Sequence, residues 1–208
     1  TTGDETVSLA CRPHVKAALD FLLDRNRAPN GLFYRGWHQA KGKETWELCR
    51  QFRAMDQATV LLGLEAGSWL TGRPSYRLAA NRLEQRIVQL FYDKKERAFG
   101  TVLDDKGQLL APGDNTESLV TQGYLAWVLG PRRETGHAMD WLEARMAPDG
   151  TFRKKKTEPA PVLPIAAYCL GGSRVGGHFN DLRKARKLLS EVAVTPKGGG
   201  REMRDPPA

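Results

Sequence analysis

Two acidic positions and one dense polar–aromatic run are the residues of this chain whose types could do chemistry. Asp56 and Glu117 each stand at the start of an apolar segment, and Asp114 lies just before the second in Pro112-Gly113-Asp114-Asn115-Thr116-Glu117. Two carboxyls flanking an acetal bond can cleave it, one protonated as general acid and the other serving as base or nucleophile. Asp56 and Glu117 are therefore the candidate catalytic pair. A structural role competes with the chemical one. Asp114 or Asn115 would cap the coming helix by accepting hydrogen bonds from its free N–H groups, and Glu117 would then face the positive end of the helix dipole. For Asp56, a polar inner-face role and a structural hydrogen bond fit the pattern equally.

The run Tyr34-Arg35-Gly36-Trp37-His38-Gln39 is the densest constellation. Flat aromatics stack on the C–H faces of sugar rings while Arg, His and Gln reach hydroxyls, a combination that suits a polar ligand in a concave site. The candidate binding residues are Tyr34, Arg35, Trp37 and His38, together with Gln57, Asp114 and Tyr124 near the carboxylates. Aromatics in a loop between helices also pack into cores, so the run has an architectural reading as well. His38 has no second His at metal-ligand spacing, which argues against zinc. The sequence contains no Gly-Lys-Ser/Thr phosphate loop, no Gly-x-Ser-x-Gly elbow and no dinucleotide fingerprint. No cofactor and no metal are expected.

The elements that must position these groups repeat. Ala-Leu-Asp-Phe-Leu followed by Ala-Pro-Asn-Gly-Leu-Phe (Ala18 to Phe33) returns as Ala-Met-Asp-Trp-Leu followed by Ala-Pro-Asp-Gly-Thr-Phe (Ala138 to Phe152). Each copy reads as an amphipathic helix that stops at a Pro-Asn/Asp-Gly turn, where Pro fixes one φ and Gly or Asn tolerates a positive one. The expected unit is a helical hairpin stacked on its neighbours. A second match lays Asp56 to Leu64 on Thr116 to Tyr124 without gaps, so that Gly63 meets Gly123 and Gln57 meets Glu117. The even-numbered helices thus share a pattern too.

Apolar periodicity predicts a first helix with Pro13 in its first turn and Val15, Ala18, Leu19 and Leu22 on one face, ending before Asn26. A short extended piece at Leu32 to Tyr34 follows. A long second helix is expected from about Thr45 to Leu70, with a break near Asp56, closed by Gly72 and Pro74. Further helices are expected over about Tyr76–Phe91, Glu117–Leu129, Gly136–Met146 and Val162–Leu170, then a loop at Gly171–Gly177 and a basic helix at Asn180–Val192. Asp93 to Arg97 reads as a polar turn, and Phe99–Leu103 with Gln108–Leu110 as a small hairpin. The expected domains are a helical-hairpin domain over 1–170, a loop with a basic helix over 171–194 and a disordered tail over 195–208.

The 208 residues are 40% apolar, enough for a real core, and the formal charge of +8 is unevenly placed. From Thr151 onward there are twelve Lys or Arg against five Asp or Glu, so 12 − 5 = +7 lies in the last quarter. A basic end fits a solvated helix face, and also electrostatic docking to nucleic acid or an acidic partner through Arg153-Lys154-Lys155-Lys156 and Arg183-Lys184-Ala185-Arg186-Lys187. The three cysteines Cys11, Cys49 and Cys169 are far apart and odd in number, which predicts buried thiols rather than a disulfide framework. No stretch is long and apolar enough for a membrane span, and Thr1 to Thr6 lack the order of a secretion signal. A soluble protein with no membrane partner is expected, with the cytoplasm favoured, although a mature secreted form would read the same.

Pro13-His14-Val15, Ala18 to His38, Met55-Asp56-Gln57-Ala58 and Phe91-Tyr92-Asp93 together resemble the α/α-toroid carbohydrate enzymes, the six-hairpin glycosidase-like superfamily. The likeness covers about Pro13 to Leu170. It implies an all-α fold of repeated helical hairpins forming part of an α/α toroid, whose inner helices line a funnel with sugar-binding aromatics and catalytic carboxylates at its mouth. The implied partner is a carbohydrate substrate, and the implied reaction is hydrolysis of a glycoside or uronide. Terpene-cyclase and prenyltransferase-type toroids, which also repeat a Gly-Phe turn, are a lesser resemblance. A closed toroid needs about twelve helices, whereas six or seven are legible here. The expectation is therefore a piece of a larger protein, an open array, or a subunit completed by a homo-oligomer or larger assembly. A non-catalytic scaffold that binds through its basic C-terminal region is the competing expectation.

Overall fold

The computed structural model describes residues 5–39, 46–152, 161–176 and 179–194. The chain divides into two compact units, Thr1–Phe91 with Val102–Leu109, and Tyr92–Thr101 with Leu110–Ala208. The expected tail at 195–208 and the basic run Arg153 to Lys156 lie outside the described residues.

The first unit begins with helix α1 (Glu5–Phe21), which continues without interruption of the chain direction into a π-helical turn, Leu22–Asn26. Pro13 lies inside α1 rather than in its first turn. Strands β1 (Gly36–Gln39), β2 (Trp46–Cys49) and β3 (Phe52–Arg53) precede helices α2 (Ala54–Thr71) and α3 (Pro74–Phe91). Val15 and Leu19 of α1 seat against Gly67 of α2, where an added Cβ would overlap the Leu19 side chain. Glycine at 67 is thus what lets the two helices approach. Gly72 caps α2 in the left-handed conformation, φ 69°, with its N–H donating to the Ser68 carbonyl. Pro74 then opens α3, which buries Tyr76, Ala80, Leu83, Ile87 and Phe91 at helical spacing.

A polar knot ties α1 to the start of α3. The Asp20 carboxylate accepts from Tyr76 Oη at 2.6 Å, Lys16 Nζ at 3.0 Å and Arg73 Nη1 at 3.2 Å. The Tyr76 hydroxyl and then the Lys16 ammonium hold the Asp20 carboxyl below its ordinary range. The turn Ala28-Pro29-Asn30-Gly31 forms as expected, with Gly31 at φ 85° and Asn30 Oδ1 accepting from the Leu32 N–H at 3.0 Å. It brings Arg27 and Phe33 into an antiparallel bridge.

The long second helix is corrected. Trp46, Cys49 and Phe52 recur every third residue, which mimics a helix face, but Trp46–Cys49 forms β2 and pairs antiparallel with β1 in the register Trp37↔Leu48 and His38↔Glu47. Phe52–Arg53 forms β3 and pairs with β6 (Val102–Leu103). The helix starts at Ala54, so Asp56 lies in its first turn rather than at a break. The small hairpin is found over Val102–Leu103 and Leu109–Leu110, but Phe99 is not part of it and pairs instead with Tyr92. Asp104 accepts from the Lys106 and Gln108 N–H groups and Gly107 adopts φ 79° between β6 and β7 (Leu109–Leu110).

The second unit contains β4 (Tyr92–Asp93), β5 (Ala98–Phe99), α4 (Thr116–Leu129), α5 (Arg133–Glu143), α6 (Val162–Val175) and α7 (Phe179–Val194). Its core includes Leu119, Met139, Trp141, Leu142, Phe152, Ile165 and Tyr168. α4 and α6 touch backbone to backbone. An added Cβ on Gly123 would overlap the Ala167 carbonyl and come within 2.9 Å of Tyr168 N, and one on Gly171 would come within 2.7 Å of Gly123 O. The expected loop at Gly171–Gly177 is corrected on this ground, because Gly171 and Gly172 stay helical and buried where only glycine permits the approach. In α7, Leu182 and Ala185 are buried while Arg183, Arg186 and Lys187 face solvent.

The polar turn between β4 and β5 shares with the repeated one a positive φ two residues before a Phe. Asp93 Oδ1 accepts from the Lys95 and Glu96 N–H groups, Arg97 takes the positive φ at 55°, and Phe99 follows two residues later. Gly31 with Phe33 and Gly150 with Phe152 have the same spacing. The buried-thiol expectation fails for Cys11, which is exposed; Cys49 and Cys169 are half-buried, and burial pushes the Cys169 thiol up. Among the described residues no helix is long and apolar enough to cross a membrane.

Candidate functional site

In the first unit the start of α2 grips the segment that follows the turn. Gln57 is buried, and its amide is fully engaged by Phe33: Oε1 accepts from the Phe33 N–H at 2.8 Å and Nε2 donates to the Phe33 carbonyl at 2.8 Å. Tyr34 comes next, its N–H donating to the Asn26 carbonyl at 2.8 Å and its ring stacked on Phe52 with centroids 5.4 Å apart. Arg35 follows, and its Nε lies 3.9 Å from Asp56 Oδ2. The adjacent pair Asp56-Gln57 therefore holds Phe33-Tyr34-Arg35 twice, by backbone through Gln57 and by charge through Asp56.

Asp56 and Arg35 are each nearly half exposed, so this ion pair adds little stability and stays open to a ligand. Asp56 lies in the first turn of α2, where the helix dipole favours a carboxylate. Trp37 and His38 lie within β1, and their side chains lie outside the described residues. The expectation that Gln57 contacts substrate is corrected, because both polar atoms of its buried amide are bonded to backbone.

In the second unit Glu117 occupies the first turn of α4, and Asn115 is the residue that caps it, accepting from the Ser118 N–H at 2.8 Å. Asp114 instead accepts from Arg145 Nε at 2.8 Å, and the Arg145 guanidinium lies 3.5 Å over the Trp141 ring. Asp114 thus anchors a side chain that covers the core. Tyr124 tilts against Trp127 with centroids 5.8 Å apart. Tyr92 Oη and His137 Nδ1 share a hydrogen bond of 2.6 Å, and burial raises the Tyr92 hydroxyl above its ordinary range. Among the described residues no group of three or more His, Cys, Asp or Glu could hold a metal ion.

The even-helix match also needs correction. Gln122 is buried and repeats the Gln57 arrangement on Phe99: Oε1 accepts from its N–H at 2.7 Å and Nε2 donates to its carbonyl at 2.8 Å. By this hydrogen-bond pattern Gln57 corresponds to Gln122 rather than to Glu117. The missed signal was a Gln 24 residues after one turn Phe and 23 after the other.

No family model matches the sequence, and no curated protein is similar to it. Solved structures do match. One is described as the crystal structure of a possible member of the GH105 family from Klebsiella pneumoniae subsp. pneumoniae MGH 78578, with a TM-score of 0.68 and 15% identity over 98% of this chain and 58% of that one. Another, from Salmonella enterica subsp. enterica serovar Paratyphi A str. ATCC 9150 and described in the same words, has a TM-score of 0.66 and 15% identity over 98% and 59%. The fold is that of helical hairpins forming part of an α/α toroid. The chain spans about 58% of the length of the first of these structures. At 15% identity the likeness carries the fold and leaves activity to the site.

Proposed function

We propose that this chain is a carbohydrate-active enzyme of the α/α-toroid type, or a part of one, that hydrolyses a glycoside or uronide. The observation that carries the reading is the partly exposed Arg35–Asp56 pair at the start of α2, with Tyr34 next to Arg35 in the chain. A sugar hydroxyl can replace either partner there, and a uronide carboxylate can replace Asp56 on Arg35, because a surface ion pair holds its members only weakly. Asp56 is assigned as one acid/base carboxyl and Glu117 as the other, with Tyr34, Arg35, Trp37, His38 and Tyr124 as ligand contacts. Asp56→Asn and Glu117→Gln are each expected to abolish glycoside turnover while leaving the unfolding temperature nearly unchanged. Retained activity in both variants would sink the assignment.

A second reading is favoured by α7, whose Arg183, Arg186 and Lys187 form an exposed basic side above buried Leu182 and Ala185. Such a side could bind an anionic polymer without reading its sequence. Binding of this kind weakens steeply with salt, and charge reversal at these three residues is expected to remove it.

A further inference from the structure

Two arginines of the second unit stand where the fold penalises them. Arg97 adopts φ 55°, in a region that favours glycine, and the repeated turns put Gly31 and Gly150 at their own positive φ, both 85°. Arg133 is the first residue of α5, where the positive end of the helix dipole disfavours a cation. Both residues are exposed. Among the described residues neither guanidinium is held in an ion pair, so neither returns to the fold what its position costs. The acids nearby differ. Glu134 suits the first turn of α5, and Asp93 closes its turn by accepting from the Lys95 and Glu96 N–H groups. Structure alone explains where the acids stand, and does not explain the arginines.

The two arginines flank one pair of side chains. Tyr92 of β4 and His137 of α5 share the 2.6 Å hydrogen bond between Oη and Nδ1, and their rings stack with centroids 6.3 Å apart. Arg133 lies four residues before His137, on the same face of α5. Arg97 ends the turn that returns from β4 to β5 in the register Tyr92↔Phe99 and Asp93↔Ala98. The charges of both arginines reach the Tyr92 hydroxyl: burial and then Glu134 push it above its ordinary range, and Arg97 and Arg133 oppose that rise. A phenol that keeps its proton donates it to Nδ1. The hydrogen of the neutral imidazole then sits on Nε2, at the far edge of a half-exposed ring.

We propose that Arg97, Arg133 and the Nε2–H of His137 receive a phosphate-type oxyanion, either the free ion or a phosphate group on a larger molecule. The donors come from two supports, the β4–β5 turn and α5. A phosphate group presents three acceptor oxygens, one for each donor, whereas a carboxylate has two. Guanidinium is the cation best matched to such oxygens, because its N–H groups bond in pairs within one plane. Glu134 and Asp93 offset the two positive charges, so directed hydrogen bonds rather than net field hold the anion. Tyr92 is a positioning residue, fixing which imidazole nitrogen carries the hydrogen. The site uses none of the residues assigned to glycoside chemistry and stands or falls apart from that reading.

The test titrates the whole chain with inorganic phosphate and with glucose 6-phosphate, against sodium chloride of matched ionic strength, and follows heat by isothermal titration and the His137 side-chain nitrogens by NMR. Wild type is expected to bind at least one probe and to shift the His137 resonances. Arg97→Gly is the decisive variant. Relieved of its positive-φ strain, it is expected to unfold at a higher temperature than wild type and yet to bind at least about fivefold more weakly. Arg133→Ala should weaken binding by a similar factor. Lys106→Ala, which removes an exposed cation of the first unit, should weaken it by less than about twofold. Tighter binding of glucose 6-phosphate supports a phosphate carried on a larger molecule, and equal or tighter binding of inorganic phosphate supports the free ion. No His137 shift beyond that caused by chloride overturns the proposal, as does wild-type affinity in Arg97→Gly or an equal loss in Lys106→Ala. An Arg97→Gly chain that unfolds earlier than wild type overturns it too, since the arginine would then serve the fold.

Discussion

The two units solve one structural problem with the same side chain and then surround it differently. In the first, Gln57 fastens both backbone groups of Phe33; in the second, Gln122 fastens both of Phe99 and also donates to the Ser118 carbonyl at 3.0 Å. Each amide satisfies a buried N–H and a buried C=O that the chain leaves unpaired as it exits a turn. The residues next to the clamp differ in kind. Tyr34 and Arg35 follow Phe33, and Asp56 precedes Gln57, all partly exposed. Around the second clamp the corresponding residues are Gly100, Thr101 and Thr121, all buried. A device present in both units is needed by the fold, whereas the polar aromatic cluster present in only one is free to serve a ligand.

The repeated helices that carry Phe21 and Trp141 differ in the same instructive way. Trp141 is 7% exposed beneath the guanidinium of Arg145, four residues on, whereas Phe21, its counterpart in the first copy, is 54% exposed. The first copy has one residue more between its helix and its turn, and the π-helical turn Leu22–Asn26 absorbs it. Arg25, four residues after Phe21, stands on that turn and no longer lies over the ring as Arg145 does. One inserted residue thus uncovers an aromatic without disturbing the turn that follows.

Replacing either clamp is the strongest way to break the comparison. Gln57→Leu and Gln122→Leu should each cost about 3 kcal/mol in denaturant unfolding, because each leaves a buried N–H and C=O unpaired. A loss under about 1 kcal/mol in either would show that one clamp is not structural. The glycines provide the next contrast. Gly123→Ala should destabilise by about 1–3 kcal/mol, since its Cβ meets the backbone of α6. Gly63, which the sequence match pairs with it, has nothing within 4 Å of an added Cβ, so Gly63→Ala should stabilise by about 1 kcal/mol through helix propensity. Equal effects at both sites would restore the original match.

The smallest effect concerns Asp20, whose knot with Tyr76 and Arg73 belongs to the first unit. Its carboxyl is held below the ordinary value of 3.8, so the stabilisation it contributes is present above that value and is lost as the pH falls through the lower folded value. Thermal unfolding should show wild type modestly above Asp20→Asn at neutral pH, with the two converging in strong acid. A gap that persists or widens in acid would assign the knot to packing instead.

Much of the helical framework was legible because it depends on local chemistry. The turns at Gly31 and Gly150 need a positive φ and contain the residues that supply it, so Pro-Asn/Asp-Gly identifies them. The turn at Arg97 takes its positive φ without a glycine, and the sequence shows only a charged stretch there. The β2 segment was misread because Trp46, Cys49 and Phe52 fit a helical period, while the strand exists through its pairing with β1. Within the candidate site, Asp56, Arg35 and Tyr34 were recognisable by type. The structural employment of Gln57 and Asp114 was not, since the groups they hold lie 24 and 31 residues away along the chain.

By itself the sequence determined the helical hairpins, their two glycine turns, the cap at Gly72, a cap at Asp114 or Asn115 and the basic character of α7, all of which follow from neighbours within about one helical turn. Only the tertiary structure decided which Gln answers which Phe and which glycine must stay a glycine. Those outcomes depend on where two distant segments meet. A buried amide or a missing Cβ acquires its purpose only from the backbone packed against it.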